Sequence, residues 1–285
     1  MTDHTKQLTL WLLAAVSAPI AHFSGCGWVT AALTAAAVLP LTLIPKSWEG
    51  MPRLLAFVEI LGFGAAAGML LRCSAACWPS DNDLAVPLIL LALAVWAGTA
   101  AKRIGAVLAL CIGLLAIPIA AVVPARLEPD WLKLRIMPWS PGLALTLLLL
   151  NLPAAAERKG RGSVFALTVL ICAAVQGCLS PWVAASVPDP EYQTARTLGY
   201  LEPIAAAAMT LGWFAVTTLL LQSAAKIADG SGIRRKTASV LVAGTATFFV
   251  LLQVQPLGTK TMVLASFLWV LIPFFLFLKK VKKSA

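Results

Sequence analysis

Charge is scarce in this chain. Asp, Glu, Lys and Arg together make up 12% of its 285 residues, and histidine occurs only twice. A soluble domain of this size needs a polar shell, and a chain that is 60% hydrophobic lacks the residues to build one. Catalytic material is equally thin. No HExxH, no paired acidic motif and no Ser/His/Asp set can be read, so an enzyme is not expected. Of the six cysteines, Cys111, Cys172 and Cys178 lie in apolar runs, where cysteine acts as a small hydrophobe. Cys73 and Cys77 are one helical turn apart, but no CxxC and no neighbouring histidine supports a metal site, so neither a metal nor a cofactor is expected. The short alternating strands of a membrane barrel are also missing.

What the chain has instead is long apolar runs from end to end, with a mean hydropathy of +0.88. That is the pattern of an all-α polytopic membrane protein. Ten transmembrane helices are predicted, roughly over 8–24, 27–45, 54–72, 85–101, 104–124, 137–156, 163–187, 200–225, 237–254 and 261–278. The basic residues test this count. All of the 22 Lys and Arg residues except Arg72, Arg126, Lys133, Arg135, Arg196 and Lys260 fall on the side shared by the two termini. By the positive-inside rule that side is cytoplasmic. Asp81, Asp83, Glu128, Asp130, Asp189 and Glu191 fall in the opposite links, and Trp48, Trp78, Trp131, Trp139 and Trp182 sit at span ends, where the ring suits the headgroup layer. The net charge of +10 is explained by this topology, so no nucleic-acid partner is expected. Lys6, the run LTLWLLAAV and a small-residue VSA imitate a signal peptide, but Pro19 directly after Ala18 blocks cleavage, so span 1 is expected to be retained.

The whole chain, 1–285, reads as one integral membrane domain of two five-span halves, about 8–124 and 137–278. Five is odd, so similar halves would lie in opposite orientations as a 5+5 inverted repeat. The first span of each half is interrupted. Span 1 carries Ser17, Ala18, Pro19 and His22, and span 6 carries Pro138, Pro141, Asn151 and Pro153. From Gly142 to Ala156 a helix would reach about 22 Å, short of the hydrocarbon core of about 30 Å. Proline removes an N–H and displaces a carbonyl, and in lipid such a break survives where protein or a hydrated cavity covers it. Free N–H groups favour a carboxylate and free carbonyls favour an ammonium, so two matched breaks make a site for a zwitterion.

Three stretches carry a family resemblance: LTLWLLAAVSAPIAHFSG with CGWVTAALTAAAVLP; ACWPSDNDLAVPLILLALAVWAGTAAKRIGAVLAL; and SPWVAASVPDPEYQTARTLGYLEPIAAAAMTLGWFAVTTLLLQSAAKIA. Their order resembles the endospore-germination permease family, the B subunits of germinant receptors. These belong to the amino acid–polyamine–organocation superfamily, with its leucine-transporter-like fold. The resemblance implies a mid-membrane pocket between broken helices 1 and 6, with spans 3 and 8 beside it. It also implies an amino acid or similar small polar germinant as ligand. An A-type membrane subunit and a lipoprotein are the implied partners, in the bacterial cell membrane or spore inner membrane. Two alternatives stay open: a stand-alone secondary amino acid transporter, and a divergent scaffold subunit without ligand response.

The candidate ligand-binding residues are Ser17, Ala18, Pro19, His22, Glu59, Asn151, Pro153 and Glu202. Glu59 either faces the protein interior, as an ionisable group in a span should, or lies near the cytoplasmic end, solvated or paired with Arg53. Glu202 either complements the dipole of span 8 or gates an outer vestibule. His22 either couples protons or bonds to backbone. Asn151 and Gln176 either meet a ligand or hold neighbouring helices together. The small-residue runs Gly62 to Gly68 and Ala205 to Met209 permit close helix approach. GSGIRRK, ERKGRG and KKVKK read as cytoplasmic links facing the lipid bilayer.

Overall fold

The computed structural model describes residues 47–78, 83–97, 199, 202–252 and 271–282. Among them are the helices α1 (Arg53–Cys77), α2 (Ala85–Ala97), α3 (Glu202–Ser231) and α4 (Arg235–Leu251). A further helical stretch covers 271–282. These fall on predicted spans 3, 4, 8, 9 and 10. One stretch of the described residues, Arg53–Arg72, is long and apolar enough to cross a membrane by length and composition.

Two of the helices overrun the apolar stretches that announce them. α1 continues past Arg72 to Cys77, and α3 continues to Ser231. Hydropathy marks where the apolar run stops, whereas the end of a helix is set by its cap. At the end of α3, Gly232 has φ +71 and the Ile233 N–H donates to the Ala228 carbonyl at 3.0 Å. This is the six-to-one closure that needs a left-handed residue after the cap, which glycine supplies without strain. Only Gly232, Ile233 and Arg234 separate α3 from α4, so the two helices are antiparallel neighbours.

Contacts at both ends fix the relation of α1 to α3. The Gly50 N–H donates to the Gly230 carbonyl at 3.2 Å just before α1 begins. Just after α1 ends, Trp78 Nε1 donates to Thr210 Oγ1 at 2.6 Å. The two helices therefore run antiparallel along their shared length. α1 and α4 run parallel and come closest of all. A Cβ added at Gly64 would stand 2.6 Å from Thr245 Cβ and 2.9 Å from the Val242 carbonyl oxygen. One added at Gly68 would stand 2.6 Å from the Ala246 carbonyl oxygen and 2.8 Å from Phe249 Cβ. The facing stripe of α4 is Ala238, Val242, Ala246 and Val250, all buried. Small residues on both sides let the backbones approach, the packing mode that serves helices when no water drives them together.

The outward faces are apolar. On α1, Leu54, Phe57, Val58 and Leu61 recur at helical spacing on the exposed side, with Leu54 76% exposed. On α2, Ile89, Leu93 and Trp96 do the same, and on α4 Val240, Phe248 and Leu251. Polar side chains are turned inward or gathered toward the two ends, most of the charged ones at one of them. Arg53 lies 3.7 Å from where a Cβ of Gly232 would stand, Arg235 pairs with Asp229, and Lys280 pairs with Glu49. The segments 47–53, 226–236 and 279–282 thus share one end of the bundle, with Trp78, Thr210 and Glu202 toward the other. Trp48 departs from its expected place: it is 8% exposed, enclosed where its carbonyl meets Gly230, and its ring is not offered to headgroups.

Two glycine substitutions test this packing. Gly68→Ala should lower the apparent stability of the detergent-purified protein by about 1–3 kcal/mol, because the clash is with backbone. Gly244→Ala, where a Cβ meets nothing within 4 Å, should leave it unchanged or raise it by up to about 1 kcal/mol. Thermal unfolding of the two variants side by side reads both effects.

Candidate functional site

Several hydroxyl groups in these helices are satisfied within their own helix. Thr210, Thr218, Ser231 and Thr247 each donate to the carbonyl one turn back, at 2.7–2.8 Å. Back-bonding of this kind conceals a hydroxyl from apolar surroundings. Against that background, three buried side-chain atoms among the described residues have no hydrogen-bond partner: Glu59 Oε1, Thr217 Oγ1 and Gln222 Nε2.

Glu59 is the most exceptional of the three. It is 2% exposed, on the buried side of α1 among Ala56, Ile60 and Phe63, while the opposite side of the same two turns presents only apolar groups outward. The structure thus removes the solvated alternative. Arg53 does not rescue the charge either, since it is exposed and turned toward Gly232 at the helix start. A carboxyl without a partner in such a place costs free energy that a merely structural residue would not be given. On the expectation that α1 is span 3, a buried acidic group there is a functional candidate by default, and what it calls for is a positive partner.

Helix register gives its depth. Glu59 lies nine residues beyond Gly50, and Gln222 lies eight residues back from Gly230, the partner of Gly50. At about 1.5 Å per residue both stand roughly 12–14 Å from the polar end, on adjacent antiparallel helices. An unpaired acceptor and an unpaired donor therefore share one level. Thr217 lies further along α3, toward the Trp78 end.

Glu202 occupies the first turn of α3, half-buried, where a carboxylate complements the helix N-terminus. It is at the opposite end of α3 from the level of Glu59, so the structure does not bring these two predicted site residues together. Ser17, Ala18, Pro19, His22, Asn151 and Pro153 lie outside the described residues, as does Gln176. Cys73 and Cys77 both fall within the last turns of α1. Among the described residues no group of three His, Cys, Asp or Glu side chains could hold a metal ion.

The polar end has ordinary surface electrostatics. A hydrogen bond from Lys280 holds the Glu49 carboxyl below the usual carboxylate range. The two-pronged Arg235 bond, 2.6 Å on each side, does the same for Asp229. Both pairs are exposed, and pairs of that kind stabilise little.

Gln222 and Thr217 are functional candidates missing from the sequence reading. A polar residue in an apolar run marked Asn151 and Gln176, and the same signal was present at Gln222, in LLLQSAA.

Replacing Glu59 tests whether it is truly unpartnered. Glu59→Met should raise the apparent stability of the ligand-free protein by about 1–3 kcal/mol, the cost of a buried polar group left unsatisfied. A fall in melting temperature would mean that the carboxyl holds a structural partner. No protein-family model and no curated protein matches the chain.

Proposed function

We propose that this chain is the permease-like, ligand-binding subunit of a spore germinant receptor. It spans the bacterial cell membrane or spore inner membrane ten times with both termini cytoplasmic. It senses an amino acid or similar small polar germinant between broken helices 1 and 6, with spans 3 and 8 beside the pocket. Its partners are an A-type membrane subunit and a lipoprotein, and it performs no chemical catalysis.

The observation that carries this reading is Glu59: a buried acidic group without a partner, on a helix whose outward face is apolar. That arrangement inverts a soluble amphipathic helix and suits a protein that holds a polar molecule away from lipid. Helix directions lend support. An inverted repeat of five plus five spans makes span 3 equivalent to span 8 and requires the two to run oppositely. α1 and α3, on those spans, are antiparallel neighbours. The ends agree as well: three segments assigned to the cytoplasm by their basic residues lie at one end of the bundle.

The test is thermal unfolding of the purified chain, alone and co-expressed with its receptor partners, against amino acids, nucleosides and sugars. A ligand at 100 times its dissociation constant should add about 2.7 kcal/mol of apparent stability. The shift should be lost in Pro19→Ala and Asn151→Ala. Absence of any shift in both preparations would sink the sensing role, and uptake of the same compound into liposomes by the chain alone would make it a transporter instead.

A further inference from the structure

We infer that the charged end of the bundle is a seat for anionic phospholipid, which it prefers to zwitterionic lipid. This rests on the membrane reading above and stands apart from ligand sensing.

Charge is divided unequally between the two ends. Segments 47–53, 226–236 and 279–282 carry eight basic residues and two acidic ones. Both acids are already taken, Glu49 by Lys280 and Asp229 by Arg235. Arg53, Arg234, Lys236, Lys279 and Lys282 are exposed and have no ion pair among the described residues. At the other end the described residues set Arg72 against Asp83 and Glu202. Backbone contacts hold the cationic segments together. The Gly50 N–H donates to the Gly230 carbonyl at 3.2 Å, and the Ser47 N–H donates to the Pro273 carbonyl at 3.0 Å. The Arg53 guanidinium lies 3.7 Å from where a Cβ of Gly232 would stand.

The cations do not stand alone. Phe57 lies four residues after Arg53 on α1, and Val240 four residues after Lys236 on α4. In the stretch 271–282, Phe275 and Leu278 lie four residues before Lys279 and Lys282. All eight of these side chains are exposed. Residues four apart share a face of a helix, about 6 Å apart along its axis. Each pair thus presents a cation at the charged end of its helix and an apolar group one turn back. A phospholipid is built the same way, with phosphate outermost and acyl chain beneath. Free phosphate would engage the cations and leave the apolar groups unmatched, and an apolar protein surface would cover the cations without a counter-charge. A zwitterionic headgroup carries its own ammonium, so it answers unpaired cations less well than a phosphodiester whose alcohol is neutral.

Electron spin resonance of the full-length protein, reconstituted in phosphatidylcholine bilayers, tests this. Spin-labelled phosphatidylglycerol is compared with spin-labelled phosphatidylcholine, each at trace level. Phosphatidylglycerol should associate about two- to fivefold more strongly, the upper figure being what one basic residue near an anionic surface supplies. Combining Arg53→Gln, Arg234→Gln, Lys236→Gln, Lys279→Gln and Lys282→Gln should bring the ratio to about 1. Replacing chloride by inorganic phosphate at equal ionic strength should leave the wild-type ratio unchanged. A fall in phosphate would assign the cations to the free anion and overturn the lipid seat. Equal association of the two lipids with wild-type protein would overturn it without recourse to any variant. A preference kept by the fivefold variant would place its source elsewhere, with the same consequence. Failure to recover the protein in the bilayer would overturn the membrane reading as well, whereas the other outcomes leave the sensing role untouched.

Discussion

The structure depends on one constraint: α1 turns its acidic group inward and its apolar groups outward. In water this would be the wrong way round. The exposed Leu54, Phe57, Val58 and Leu61 would gain from burial, and Glu59 would gain from solvation. In a hydrocarbon medium both preferences reverse. The other economies of the bundle follow from the same cause. Hydroxyls bond back to their own helices, and the carbonyl of Gly230 is met by the Gly50 N–H at the point where α3 ends. Gly232 folds the end of α3 onto its own carbonyls. Each device keeps backbone or hydroxyl groups satisfied from within, which is what a segment without access to water must do.

On the membrane reading proposed above, the helices receive no hydrophobic drive from lipid and have to be held by contact. That is the part played by the α1–α4 seam, where Gly64 and Gly68 meet the backbone of α4 at distances no larger residue would allow. The seam is also why the inward charge sits at a defined level. α1 is locked to α4 along one side and to α3 at both ends, which opposes rotation or sliding that would carry Glu59 to the exposed apolar face.

Much of this was legible in the residues. The apolar runs over 54–72, 85–101, 200–225 and 237–254 lie where α1 to α4 form, since apolar composition and helix formation coincide in such segments. Glu59 stood out because a single acid in LLAFVEILGFG has no neighbour to excuse it. The glycine run could be read as close packing, but its partner could not: that Gly68 meets Ala246 depends on how two segments far apart in the chain are brought together. The same reason concealed Gln222. That Gln222 lies at the level of Glu59 is a property of helix register, set by contacts at Gly50 and Trp78, and no local spacing encodes it. The end of α3 lies beyond the predicted span for a different reason, because hydropathy falls at Lys226 whereas the helix continues to the glycine at 232.

The most direct measurement is sidedness. Cysteine introduced at Asp83, toward the Trp78 end, and at Lys282, toward the polar end, can be reacted in intact cells with a membrane-impermeant maleimide and compared with the background of the native cysteines. Asp83→Cys should label in intact cells, and Lys282→Cys should label only after the membrane is opened. Labelling of both positions in intact cells, or recovery of the protein outside the membrane fraction, would contradict the account at its root.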